Sequence, residues 1–157
     1  MALLTLDSAE HTAALGAAVA RALSDRAGAV LYLQGPLGAG KTTLARGLLR
    51  ALGVQGAIRS PTYTLLEPYD IGGRSLVHLD LYRLNDEREI EPLGLRDYPP
   101  ERCWWLIEWP ERAGARLPPA DLVVTLAHEG AVRRASLSGP FAGQVRAPAA
   151  KSTGIVD

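Results

Sequence analysis

Apolar residues in the first third of the chain follow the spacing of strands and helices in turn. Residues 29–35, AVLYLQG, form an aliphatic run that ends in glycine, which predicts a buried strand. In residues 41–53, KTTLARGLLRALG, four leucines recur at the spacing of one helix face, and Gly53 stands where a helix C-cap belongs. A short strand over residues 3–6, followed by another helix, is predicted to precede them.

The remaining apolar runs predict two hairpins and one central strand. Strand-like runs around residues 63–69 and 75–80 flank the turn sequence DIGG, which predicts an antiparallel hairpin. The uninterrupted run CWWLIEW, residues 103–109, predicts a central strand that is buried on both faces. Residues 120–139 predict a second hairpin, which turns at Glu129–Gly130.

Charge and composition restrict the classes of partner. The formal net charge is zero, which argues against strong independent binding to DNA, tRNA or an anionic membrane. The single cysteine, Cys103, excludes an internal disulfide and suits a reducing compartment. No apolar run approaches the ~20 residues needed to cross a bilayer. We therefore expect a cytoplasmic protein that binds neither DNA nor a membrane.

The strongest chemical signal is Gly35–Thr42, GPLGAGKT, which matches the phosphate-binding loop G-x-x-x-x-G-K-[ST] in full. Few side chains obstruct this turn, so backbone N–H groups can converge on one anion at the N-terminus of the following helix. Lys41 would neutralise phosphate charge and the Thr42 hydroxyl would bind Mg²⁺. The chain has only one other lysine, Lys151, against fifteen arginines, which suggests that the loop requires a compact ammonium group.

These elements predict an α/β fold: a P-loop NTPase-like mixed β-sheet flanked by helices, with antiparallel hairpins added to a parallel core. We predict a single P-loop ATPase domain over residues 1–141. Residues 142–157 are rich in Ala, Gly and Pro, and are expected to form a flexible C-terminal tail.

Two acidic residues are candidates to complete the site. Asp80 and Glu108 each end an apolar strand, and such strand ends border the ligand crevice of an open α/β sheet. A phosphate-binding loop needs an acid to hold the magnesium shell or to orient the attacking water. The segment RSPTYTLLEPY, residues 59–69, offers hydroxyls that either sense the γ-phosphate or belong to an ordinary polar loop.

Aromatic residues and one histidine stand beside these acids. All three tryptophans fall within residues 104–109, and core packing explains one or two of them. Trp109 follows Glu108 at the strand exit and is a candidate for lining the site or a partner surface. His78 is expected to pack within its strand.

Four segments, GPLGAGKTT, SPTYTLLEPY, HLDLYRL and WWLIEWPER, resemble in this order the bacterial TsaE (YjeE) family. The resemblance covers roughly residues 3–138. That family is the ATPase component of tRNA threonylcarbamoyladenosine biosynthesis. The resemblance implies a P-loop fold, weak ATPase activity with ATP and Mg²⁺, and work in complex with the TsaD and TsaB proteins. These partners modify the adenosine beside the anticodon, so tRNA contact is expected to be indirect.

The resemblance also implies roles for particular residues. Mg²⁺ would bind Thr42 and Glu108, and Asp80 would organise the attacking water. Thr12 would lie near the adenine, with Arg133 at the nucleotide edge. The implied catalytic residues are Lys41, Asp80 and Glu108. The implied nucleotide-binding residues are Gly35, Gly38, Ala39, Gly40, Lys41, Thr42, Thr43, Thr12, Thr62 and Arg133.

Two other functions stay open from the residues themselves. One is a nucleotide-gated binding module, in which ATP binding rather than turnover shapes a partner surface. The other is a small-molecule kinase, in which Arg59, Arg83 and Arg88 would serve a phosphoryl acceptor.

Overall fold

The computed structural model describes residues 2–149 of the chain. Within these residues lie seven strands and two α-helices, and short 3₁₀ helices occupy several connections. The strands are β1 (Ala2–Leu6), β2 (Ala29–Gln34), β3 (Leu66–Ile71), β4 (Arg74–Asp80), β5 (Cys103–Glu108), β6 (Leu122–Glu129) and β7 (Val132–Ser138). The α-helices are α1 (Ala9–Ala22) and α2 (Lys41–Leu52). Every strand and α-helix predicted from the apolar spacing is present.

The strands form one sheet in the order β1-β7-β6-β2-β5-β4-β3. Strands β6, β2, β5 and β4 are parallel, whereas β3 pairs antiparallel with β4, and β7 pairs antiparallel with both β6 and β1. The two hairpins therefore extend a parallel core at its two sides. This arrangement confirms the predicted mixed α/β sheet.

Parallel pairing brings the two candidate acids together. Strands β4 and β5 run in register, so that Asp80 is the direct partner of Glu108. Glu108 is in turn the register partner of Leu33 in β2, one residue before the end of that strand. Since β2 leads into the phosphate loop, both carboxylates lie at the sheet edge where this loop begins.

Both faces of the sheet are covered. Helices α1 and α2 pack on one face, where Leu15 and Leu48 join Trp104 in a buried cluster. Trp105 points to the other face, where Ile90 and other residues of the 3₁₀ segments close a second cluster. All six residues of β5 are buried, which confirms the prediction of a central strand covered on both sides.

Two glycines allow α1 and α2 to cross in close contact. A Cβ atom on Gly16 would lie 2.1 Å from the carbonyl oxygen of Leu44, and one on Gly47 would lie 2.1 Å from that of Ala13. Neither position has room for a side chain, because the obstacle is helix backbone. This contact holds the start of α1 beside the start of α2, and therefore beside the phosphate loop.

The Gly47→Ala variant is expected to lower the free energy of unfolding by about 1–3 kcal/mol, since the added methyl group forces two backbones apart. At an exposed helix position, replacing glycine with alanine would raise the free energy of unfolding by up to about 1 kcal/mol. The sign of the change therefore shows whether the two helices are in close contact at Gly47. Urea unfolding followed by circular dichroism measures it. Arg46→Ala, on the exposed side of α2, is the matched control. A stabilised Gly47→Ala protein would contradict the close crossing.

Two element boundaries differ from the sequence prediction. Strand β3 begins at Leu66 rather than near residue 63, because a turn closed by the Leu65 N–H on the Pro61 carbonyl, at 2.8 Å, precedes it. Leu65 adopts a left-handed conformation, with φ 65°. The turn of the second hairpin lies one residue later than predicted, since Glu129 still pairs with Val132 in the sheet.

The described residues after β7, up to residue 149, pack back against the domain. Phe141, Ala142 and Val145 pack against the cluster beneath α1 and α2. His11 of α1 approaches the Pro148 carbonyl oxygen, with its Nε2 at 3.3 Å. Residues 150–157 of the predicted tail lie outside the described residues, and the boundary at residue 141 stays a prediction. No helix in residues 2–149 is long and apolar enough to cross a membrane.

Candidate nucleotide-binding and catalytic site

A cavity of about 420 Å³ lies at the carboxyl ends of the parallel strands, beside the loop between β2 and α2. Most of the predicted site residues line it. They are Thr12, Gly38, Gly40, Lys41, Thr42, Thr43, Thr62, Asp80, Glu108 and Arg133.

The other two predicted site residues, Gly35 and Ala39, do not line the cavity but fix the conformation of the loop. The Ala39 side chain is fully buried in the core, and its N–H donates to the Pro36 carbonyl at 3.2 Å. Gly35 has φ 144°, and a Cβ there would lie 2.4 Å from the Leu126 carbonyl oxygen. Gly40 caps α2 in a left-handed conformation with φ 106°. The glycines therefore allow backbone conformations in the loop that other residues rarely adopt, as its motif requires.

Lys41 is the first residue of α2 and only 5% exposed. Its Nζ donates to the carbonyls of Gly35, at 2.5 Å, and Pro36, at 2.9 Å. The same ammonium group lies 4.1 Å from the centre of the Trp109 ring, which adds a cation–π contact. Burial lowers the pKa of Lys41, and nearby carboxylates, Glu108 foremost, oppose that shift. The cation is thus held at the base of the loop by neutral groups.

Glu108 joins the loop to the sheet. Its carboxylate is 2% exposed, and its Oε1 accepts a hydrogen bond from the Thr42 hydroxyl at 3.0 Å. Its other oxygen, Oε2, lies 2.7 Å from Nε2 of His78, which is itself buried. His78 lies within its strand as expected, but the sequence interpretation missed this contact with a candidate site residue. A hydroxyl and a carboxylate on one cavity wall are oxygen donors of the kind that Mg²⁺ prefers.

Asp80 lies beside Glu108 but is bonded differently. Its Oδ1 accepts the backbone N–H of Tyr82 at 3.1 Å. Burial raises the pKa of the Asp80 carboxyl, the Tyr82 hydrogen bond opposes this shift, and the charge of Glu108 adds to it. The site therefore disfavours the charged form of Asp80.

Asp80→Asn is expected to raise the melting temperature at pH 7. Because folding raises the pKa of Asp80, its charged form destabilises the fold above that folded pKa, and the amide removes this effect. The gain should shrink as the pH falls toward about 3.9, the ordinary Asp pKa, below which the carboxyl is protonated in both states. Thermal melts from pH 7 to pH 4 measure it, with the exposed Asp25→Asn as control. A gain that does not change with pH would contradict this explanation.

Aromatic and cationic side chains also line the cavity. Trp109 adopts a left-handed conformation with φ 59°, and its ring lies 5.0 Å from that of Tyr82. Tyr82 and Arg83 also line the cavity, although sequence reasoning assigned Tyr82 no role and Arg83 only to the kinase alternative. The motif HLDLYRL contains both residues, and their position two and three residues after Asp80 was the available signal.

Thr62 brings the segment before β3 to the cavity. Its hydroxyl pairs with that of Ser60 at 2.8 Å. The next residue, Tyr63, is 81% exposed, and the Arg83 guanidinium lies 4.3 Å from the centre of its ring. This segment therefore presents one side chain to the cavity and the next to solvent.

The same segment is joined to the backbone of a candidate acid. The N–H of Asp80 donates to the Leu65 carbonyl at 3.0 Å. Leu65 is the left-handed residue that ends the turn begun at Pro61. The polar segment and the Asp80 strand end are therefore held together by a main-chain bond.

Thr12 and Arg133 reach the loop from opposite ends of the chain. Thr12 lies in the first turn of α1, and its methyl group would be 3.3 Å from a Cβ on Gly40. Arg133 of β7 donates from Nη1 to the Gly38 carbonyl. The structure thus brings both predicted residues to the phosphate loop.

Comparison with known proteins agrees with this architecture. A family model described as "Threonylcarbamoyl adenosine biosynthesis protein TsaE" matches residues 6–136. The crystal structure of Bacillus subtilis YdiB superposes with a TM-score of 0.72 at 29% identity, covering 88% of this chain and 84% of YdiB.

Individual relatives carry the same description. The tRNA threonylcarbamoyladenosine biosynthesis protein TsaE of Haemophilus influenzae is 52% identical over 97 residues, which are 62% of this chain and 61% of that protein. The Treponema pallidum TsaE is 40% identical over 121 residues, 76% of this chain and 86% of that protein. The chain therefore belongs to the TsaE family of tRNA threonylcarbamoyladenosine biosynthesis proteins.

Proposed function

We propose that this protein binds ATP with Mg²⁺ and hydrolyses it slowly, as the ATPase subunit needed for threonylcarbamoylation of the adenosine beside the anticodon in tRNA. It would act with the TsaD and TsaB proteins and reach tRNA through them. The observation that carries the proposal is the hydrogen bond from Thr42 to Glu108, which joins the phosphate loop to the end of β5 in the cavity that Lys41 also lines.

The phosphate loop supports binding of a triphosphate. The first N–H groups of α2 have no acceptor within the helix and, with the helix dipole, favour an anion at its N-terminus. Lys41 would exchange its hydrogen bonds to the Gly35 and Pro36 carbonyls for phosphate oxygens. Little water surrounds this ammonium, so its attraction to phosphate would be only weakly screened.

Thr42 and Glu108 are the residues we propose for holding Mg²⁺. This cation usually keeps several waters and takes substrate phosphates as ligands, so one hydroxyl and one carboxylate are sufficient protein donors. When bound, the ion would neutralise charge on the transferring phosphoryl group. The short distance between the two side chains, 3.0 Å, supports a shared ligand role.

Asp80 is the proposed residue for orienting the attacking water. Its Oδ1 is held by the Tyr82 N–H, which leaves Oδ2 to accept a hydrogen bond from a water in the cavity. Thr12 and Arg133, which line the cavity beside the loop, are proposed to contact the adenine and the nucleotide edge.

Zero net charge supports indirect tRNA contact, because phosphate recognition needs clustered cations. The test is tRNA modification reconstituted with TsaD, TsaB, a threonylcarbamoyl donor and unmodified tRNA, with and without this chain. We expect repeated rounds of modification only when the chain and hydrolysable ATP are both present. Equal modification without the chain would overturn the proposal.

The same reconstitution separates the alternatives. An Asp80→Ala protein that binds ATP, fails to hydrolyse it and still supports repeated rounds would establish a nucleotide-gated binding module instead. Transfer of labelled phosphate from ATP to a metabolite, without net hydrolysis, would establish a kinase.

A further inference from the structure

We propose that His78 is a positioning residue for the carboxylate of Glu108, and through it for the metal and nucleotide. The inference rests on the proposed function, because it assumes that Glu108 is a metal ligand. His78 donates its Nε2–H to Oε2 of Glu108, and Thr42 donates to Oε1. Both carboxylate oxygens are thus held, so rotation of the carboxylate away from the cavity would break a hydrogen bond.

The position of His78 in the sheet explains this contact. Side chains alternate along a strand, so His78 shares a face of β4 with Leu76 and Asp80, the face covered by α1 and α2. Its register partner in β5 is Leu106, and Glu108 is the next residue of β5 on that same face. His78 and Glu108 are therefore a diagonal pair across two parallel strands, within reach of each other.

Burial shows that this pair is isolated from water. His78 is 1% exposed and Glu108 is 2% exposed. A buried polar ring destabilises a fold unless it is hydrogen-bonded. Within the described residues no atom hydrogen-bonds to Nδ1 of His78, so the contact with Glu108 is the hydrogen bond that its side chain makes. A leucine would pack equally well beside Leu76 and Leu106, so packing alone gives no reason for histidine.

The two oxygens of the Glu108 carboxylate therefore have different roles. Oε2 is occupied by the histidine, and Oε1 is directed at the loop hydroxyl, where a cation would compete for it. Partners of this kind fix the orientation of metal ligands, and their loss typically weakens metal affinity by about 10–100-fold. His78 is expected to act on metal binding rather than on the binding of nucleotide without metal.

The test compares wild type, His78→Leu and His78→Gln in the full-length protein. Mn²⁺ binding in the presence of a non-hydrolysable ATP analogue is measured by electron paramagnetic resonance, and analogue binding is measured separately in EDTA. We expect His78→Leu to weaken Mn²⁺ binding about 10–100-fold while analogue binding in EDTA stays unchanged. His78→Gln, whose amide offers an N–H donor, should recover much of the loss. The exposed His128→Leu is the matched control and should match wild type.

Each outcome decides the proposal. Wild-type Mn²⁺ affinity in a folded His78→Leu protein would overturn the positioning role and leave the proposed function standing. If wild type itself shows no metal-dependent binding of the analogue, the proposed function and this inference both fail. Should His78→Leu not fold by circular dichroism, His78→Asn, whose shorter side chain withdraws the donor, replaces it in the same comparison.

Discussion

ATP hydrolysis by the Lys41→Ala variant is expected to be roughly a hundredfold to a thousandfold slower than by wild type. The reason is electrostatic: Lys41 is 5% exposed, so its charge would act on the phosphates with little screening by water. Phosphate release at saturating ATP and Mg²⁺ measures the loss. Unfolding in urea should show that the variant is still folded, because burial of this cation is not a source of stability.

The Lys41→Arg variant tests whether positive charge alone is sufficient at this position, and we expect it to hydrolyse ATP as slowly as Lys41→Ala. The ammonium fits between two carbonyl oxygens, at 2.5 and 2.9 Å, and the Trp109 ring, at 4.1 Å. A planar guanidinium carries the same charge but is larger and needs a different set of acceptors. Arg46→Ala removes an exposed cation from the same helix and should leave the rate unchanged. Wild-type hydrolysis by Lys41→Arg would show that charge alone is required.

The second large effect is expected for Glu108→Gln, with hydrolysis slowed by roughly two orders of magnitude or more. The amide has one oxygen acceptor where the carboxylate has two, and it lacks the negative charge that a cation needs. Nucleotide binding should also lose most of its dependence on Mg²⁺. Titration of nucleotide binding with and without Mg²⁺ measures this change.

A neighbouring carboxylate provides the control for Glu108→Gln. Glu111 lies three residues later on an exposed position and contributes charge near Lys41, but it does not line the cavity. Glu111→Gln should therefore keep the Mg²⁺ dependence of wild type. A Glu108→Gln protein whose binding still responds to Mg²⁺ like wild type would exclude Glu108 as the metal ligand.

The phosphate loop was predictable because its information is local. Strand β2, the glycine turn and helix α2 follow one another in the chain, and each has its own signal in the apolar spacing or the motif. The meeting of Asp80 and Glu108 was also predictable, from the rule that parallel strands place their carboxyl ends at one edge. Thr12 and Arg133 came from the family resemblance, because nothing in their own surroundings indicates a ligand.

Two kinds of contact could not be predicted from the sequence: those that depend on the register between strands, and those that depend on a left-handed backbone conformation at a residue other than glycine. The contact of His78 with Glu108 requires knowing that Leu106, and not a neighbour, faces His78 across the strands. The place of Trp109 against Lys41 follows from a left-handed conformation that tryptophan rarely adopts. Leu65 is similar: no glycine or asparagine marks its left-handed turn, so the start of β3 was placed too early.

The bond between the Leu65 carbonyl and the Asp80 N–H has a mechanical consequence. The segment that carries Tyr63 at the surface cannot be displaced at Leu65 without either breaking this 3.0 Å bond or carrying the main chain of Asp80 with it. Leu65 is also a left-handed residue without the freedom of glycine, so it is a stiff link rather than a loose one. A partner that binds the exposed Tyr63 and shifts this segment would therefore also shift the main chain of Asp80 at the end of β4.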